Sequence, residues 1–217
     1  MYIDKITEGC FMRIFRENYY DIVRLYINQI GITIFSMFLY TAAAMVDDDE
    51  LFLTLRICVS IFSVLFYLSL LHNVVWEIGA TDKIRIDSGK LDPQPMKGAV
   101  MALFANVPNF LLAFLAIVFV SIFMLSGAEW SYSVFVVIFT ILRFHTSMYM
   151  GIIQGVTPAT PDVGATTVDL GDCLLESALF LVLPLIAVAV TQLSYHLGMK
   201  EKKLFGFLGS GTSKSSK

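Results

Sequence analysis

Charge is what this chain lacks. Only 15% of its 217 residues are Asp, Glu, Lys or Arg, against about 25% in an ordinary soluble domain. Its basic residues are scattered and the net charge is −3, so the dense positive stripe of a nucleic-acid-binding protein is missing. Three cysteines, Cys10, Cys58 and Cys173, stand far apart, and none belongs to a CxxC or Cys/His pattern. That spacing argues against a disulfide framework or a zinc site. The three histidines, His72, His145 and His196, show no ligand spacing either. No HExxH, GxSxG, P-loop or GxGxxG occurs. The expectation is a protein without metal or cofactor and without catalytic machinery.

Apolar residues are abundant. They make up 57% of the chain, with a mean hydropathy of +0.74. A protein of this size has too little interior to hide them all from water, so a second apolar solvent is required, and lipid supplies it. Five segments reach the length of about 20 mostly apolar residues that a membrane helix needs: Leu25–Val46, Leu51–Trp76, Gly98–Leu125, Ser131–Ile153 and Cys173–Leu197. Backbone groups must pair internally in hydrocarbon, so each is expected to be helical. The fold class expected is an all-α polytopic bundle spanning residues 1–199, with a flexible tail over 200–217. Ahead of the first span, Phe11, Met12, Ile14, Phe15, Tyr19 and Ile22 recur at helical spacing, with Arg13, Arg16 and Glu17 between them. This pattern suggests an amphipathic helix lying at the interface, or else a simple extension of the first span.

Basic loop residues mark the cytoplasmic side. Lys5, Arg13, Arg16 and Arg24 precede the first span, and Lys83, Arg85, Lys90 and Lys97 fill the second connection. The first connection, Asp47-Asp48-Asp49-Glu50, has no basic residue. An N-terminus inside the cell follows. Five full crossings then place Lys200, Lys202, Lys203, Lys214 and Lys217 outside, against the rule. If the fourth segment enters and returns without crossing, every basic loop residue falls on one side. Arg143-Phe144-His145-Thr146-Ser147 interrupts that segment and offers a place to turn. Both topologies stand at this point.

Three charged residues fall well within the spans: Arg56, Arg143 and Glu176. An ionisable residue in lipid is a functional candidate by default. Arg56 lies close enough to the acidic turn to snorkel toward it. Arg143 and Glu176 can pair across a hairpin, either as a structural ion pair or as a polar site for a substrate or proton, with His145 as a conceivable relay partner. Asn106-Val107-Pro108-Asn109 puts two amides and a kinking proline inside the third span. Gly151 and Gly155 have the four-residue spacing that permits close helix approach. The connection Glu77–Lys97 alternates in charge and ends in Pro93 and Pro95. It is expected to be mostly solvated, and a docking surface for a soluble protein partner is the second reading.

The stretch from Trp76 to Lys90, WEIGATDKIRIDSGK, together with Asn106-Val107-Pro108-Asn109, resembles segments of uncharacterised multi-pass proteins of Gram-positive bacteria. The resemblance covers about the middle third of the chain and includes no motif of known activity. It implies a bacterial inner membrane and nothing about chemistry. Two functions remain: a small-solute transporter or membrane subunit of one, with Arg143, Glu176, Asn106 and Asn109 along the path, or a non-catalytic scaffold or regulator.

Overall fold

A computed structural model describes residues 12–43, 45, 49–156 and 170–201. Residues 1–11, the acidic positions 47 and 48, the connection 157–169 and the tail from 202 lie outside the described residues. So do the expectations that fall on them, among them Cys10 and the flexible tail.

Every regular element among the described residues is helical. Residues 12–17 form α1, followed by α2 (Tyr19–Ala43), α3 (Asp49–Asp87), α4 (Lys97–Ala105), α5 (Val107–Ser126), α6 (Glu129–His145), a 3-10 turn (Ser147–Tyr149), α7 (Met150–Val156) and α8 (Leu170–Met199). Four helices are long and apolar enough to cross a membrane, and α6 with the 3-10 turn and α7 makes a fifth segment bent by 77°. The architecture is that of a multi-pass helical membrane protein. Its outer face carries large exposed apolar side chains such as Phe38, Phe62, Phe114 and Leu193, which lipid covers.

The N-terminal amphipathic stretch meets the first span at a bend. The chain bends at Asn18, yet backbone hydrogen bonds run into and out of it, and its amide donates to the Ile14 carbonyl at 2.8 Å. On α1, Ile14 is buried and Phe15 packs on Phe104 at 4.8 Å between ring centroids, while Met12 stays exposed. One apolar side therefore docks on the bundle.

The second span is much longer than its apolar run. The helix continues through the charged stretch to Asp87, so most of the connection expected to be solvated is helical, and only residues 88–96 turn. The third span is two helices joined at Asn106, whose φ of −95° and ψ of 3° end α4. Pro108 then sits in the first turn of α5, where its missing N–H is no loss. The break thus precedes the proline and leaves no kink inside a continuous helix. Gly127, at φ +66°, caps α5 in the left-handed conformation that glycine adopts without strain, and α6 folds back with Ser131 donating to the Phe119 carbonyl at 2.7 Å.

Helices α3 and α8 run side by side in the same direction. His72 Nδ1 lies 2.9 Å from Ser194 Oγ, and further along both helices Gly79 meets Gly198. A Cβ on Gly198 would fall 2.3 Å from the Trp76 carbonyl oxygen, so only glycine allows this crossing. Gln192 fixes the start of α4 at the same end, accepting from the Ala99 N–H at 2.7 Å and donating to the Pro95 carbonyl at 2.6 Å. From there α4 and α5 run back along α8, and α6 starts at the end where α3 and α8 begin.

That arrangement bears on the course of the fourth segment. After the 77° bend, α7 lies on the first turns of α3, with Gly151 against the Arg56 carbonyl and Gly155 against Ile57. The next described element, α8, begins at that same end. The segment therefore enters and leaves by one end of the bundle, as the re-entrant topology requires. Among the described residues, Arg13, Arg16, Arg24, Lys83, Arg85, Lys90, Lys97 and Lys200 gather at the other end, and only Arg56 and Arg143 do not.

Candidate functional site: the re-entrant tip and its polar seam

The tip of the re-entrant segment is tied to α2 and α3 by backbone-directed bonds. Thr33 Oγ1 donates to the His145 carbonyl at 2.9 Å, Ser147 Oγ donates to the Thr33 carbonyl at 2.9 Å, and Ser60 Oγ donates to the Met148 carbonyl at 2.5 Å. Residues 146–149 leave the α-helical register, so the carbonyls at this break need such partners in a dry interior. The Tyr26 ring lies 5.7 Å from that of His145. Thr33 is near the middle of α2 and Ser60 lies within the apolar part of α3, so the tip reaches into the bundle interior.

Two polar stripes flank the tip. On α2 they are Gln29, Thr33, Ser36 and Tyr40, and on α3 Arg56, Ser60, Ser63 and Tyr67. Both follow the four-three-four spacing that keeps residues on one helix face. Several of these groups are buried with no hydrogen-bond partner: both amide atoms of Gln29, the hydroxyls of Ser36 and Ser63, and Nε of Arg56, joined by Gln154 Oε1 and His145 Nε2 from the re-entrant segment. Gln29, Ser36 and Ser63 are 0% exposed. An unsatisfied buried polar group costs about 1–3 kcal/mol, so a dry, purely structural seam would use apolar side chains here instead. Arg56 stacks over the rings of Phe52 at 4.7 Å and Tyr40 at 5.9 Å, at the outer end of its stripe.

The other intramembrane charges are neutralised. Arg143 grips Glu176 with two parallel bonds, Nε to Oε1 at 2.7 Å and Nη2 to Oε2 at 2.6 Å, and its guanidinium covers the Phe139 ring at 4.5 Å. The Glu176 side chain is 1% exposed and that of Arg143 22%. Such bidentate geometry satisfies both ions. Asn109 donates to Asn106 Oδ1 at 2.9 Å, and Asn106 donates to the Ala102 carbonyl at 2.9 Å, an arrangement that plugs the α4–α5 break. Among the described residues no hydrogen bond or ion pair joins these asparagines to Arg143, Glu176 or His145. His145 itself faces α2, away from Glu176. The six residues singled out in the sequence thus divide into an ion pair, an amide plug with Pro108 beside it, and the tip histidine.

A second buried ion pair lies at the basic end and escaped the sequence reading. Lys97 Nζ donates to Asp82 Oδ2 at 2.7 Å and Tyr195 OH donates to the same oxygen at 3.0 Å, with side chains of the ion pair 6% and 2% exposed. The signal was present in the spacing: Trp76, Gly79 and Asp82 continue the inward face of α3 beyond the apolar run. Beside this pair a groove of about 250 Å³ opens between α2 and α3, lined by Asp21, Arg24, Glu77 and Arg85 among others. Nearby on α1 the Arg13 guanidinium, 2.8 Å from Glu17, holds that carboxyl below the usual carboxylate range. Among the described residues no cluster of His, Cys, Asp and Glu fit to hold a metal ion occurs.

No protein-family model, curated protein or solved structure matches this chain.

Proposed function

We propose that the chain is a non-catalytic membrane component that moves a small solute across a cell membrane, alone or as a subunit of a transport system. The observation that carries this reading is the re-entrant tip, held in the bundle interior between two polar stripes whose buried side chains lack partners. Irregular backbone at membrane depth survives only where it is buried in protein or lines a polar passage, and the unpartnered groups favour the passage. The gathering of basic residues at one end supports a cytoplasmic side for that end, where α1 lies.

The second reading is a scaffold or regulator. The closed Arg143–Glu176 pair favours it, because two ions that satisfy each other this completely leave nothing for a solute. In that case the helical stretch 77–87 and the turn after it are the surface for a soluble partner.

Water access separates the two. In a variant lacking Cys10, Cys58 and Cys173, Ser36→Cys and Ser63→Cys should react with a small hydrophilic thiol reagent in intact membranes, while Phe180→Cys should not. Silence at both seam positions, with the proteins folded and inserted, would sink the transport reading and leave the scaffold.

A further inference from the structure

Resting on that reading, we infer that the solute is small, uncharged and hydrogen-bonding, of the kind represented by glycerol and urea, and that Gln29 is its binding group at the tip. Gln29 is 0% exposed, and both its amide nitrogen and its amide oxygen are without partners. It lies one turn from Thr33, which the tip grips on both sides. Ser36 and Ser63 lie one turn from Thr33 and Ser60, the residues that anchor the tip, and their hydroxyls are equally unpartnered. Gln154 Oε1 and His145 Nε2 complete the set from the re-entrant segment.

This collection has donors and acceptors in balance and no carboxylate. The charges that might serve an ion are spent elsewhere: Arg143 on Glu176 and Lys97 on Asp82. Arg56 is the one charge on the stripes, and it sits at their outer end against two aromatic rings, beyond the reach of the tip. A cation meets that positive charge first. An anion that passes it must shed its hydration against amide and hydroxyl dipoles alone, without a counter-charge beside Gln29, Ser36 and Ser63. An uncharged solute with several hydroxyl or amide groups exchanges water for the same dipoles without that penalty, and gives Gln29 a partner for each end of its amide.

The test uses the purified full-length chain in liposomes. Light scattering follows reswelling after an inward gradient of glycerol or of urea, and chloride- and potassium-sensitive dyes follow ions in parallel vesicles. Reswelling faster than in protein-free liposomes, lost to the protein-free rate in Gln29→Leu and reduced in Ser63→Ala at equal reconstitution, is the expected result. Undiminished reswelling in both variants overturns the assignment of the site. Chloride or potassium flux without solute flux overturns the uncharged class while the transport reading stands. No movement of any probe overturns this inference, while thiol access at Ser36→Cys and Ser63→Cys decides the transport reading separately.

Discussion

The two sides of the bundle interior treat polarity in opposite ways. Along α8, each ion is closed into a pair: Glu176 with Arg143, and Asp82 with both Lys97 and Tyr195. Along the α2–α3 seam the polar groups are neutral apart from Arg56 at the outer end, which stacks on Phe52 and Tyr40, and a row of them is left without partners around the re-entrant tip. Burying a charge without a partner is prohibitive, so the α8 side has to be complete to fold at all. Leaving a neutral amide or hydroxyl open costs far less, and a protein can sustain it where the opening is useful. In this molecule the ions beside α8 are closed into pairs, and the unpartnered groups are, apart from Arg56, neutral.

Substitutions sharpen that contrast, starting with the largest effect. Glu176→Leu strands the Arg143 guanidinium beside Phe139 and should destabilise the protein by about 3–5 kcal/mol, read as a large fall in the thermal transition in detergent. Arg143→Leu combined with Glu176→Leu should recover most of that loss. A double variant no better than the single would show that the pair is not a closed unit. Tyr195→Phe removes one of two donors to Asp82 and should cost roughly 1 kcal/mol, because Lys97 still neutralises the carboxylate. A loss as large as that from Glu176→Leu would mean the hydroxyl, rather than the lysine, is what keeps Asp82 buried. Gln29→Leu should leave stability unchanged or slightly raised, since it removes two unsatisfied atoms and fills the space with hydrocarbon. A substantial drop in the thermal transition would show that Gln29 is bonded in the membrane-embedded protein, and would erase the difference between the two sides.

The sequence reveals these two regions unequally. Long apolar runs announce the helices, because hydrocarbon permits little else, and the pairing of Arg143 with Glu176 follows from both being ions with nowhere else to go. The re-entrant course is half legible: the basic residues leave it level with a full crossing, and the packing of α7 on α3 and the parallel course of α3 and α8 favour it. The buried pair of Asp82 and Lys97 is hidden by context, since alternating charges next to prolines resemble a solvated loop until α3 is seen to continue through them. The polar stripes are the hardest to see. Serines and threonines are unremarkable in membrane helices, and Ser60 and Ser63 gain meaning only when the tip arrives from 88 residues away in sequence at Met148.

The length of α3 has a mechanical consequence. Its 39 residues make a rod of about 58 Å at 1.5 Å per residue, nearly twice the hydrocarbon thickness. The rod has no loop in it to absorb twist. Ser60 and Ser63 on the seam and the exposed Ile84 and Arg85 beyond the membrane therefore turn on one shaft. A displacement of its projecting end, which Gly79 and Asp82 hold against α8 and α4, is carried along the shaft toward the grip on Met148.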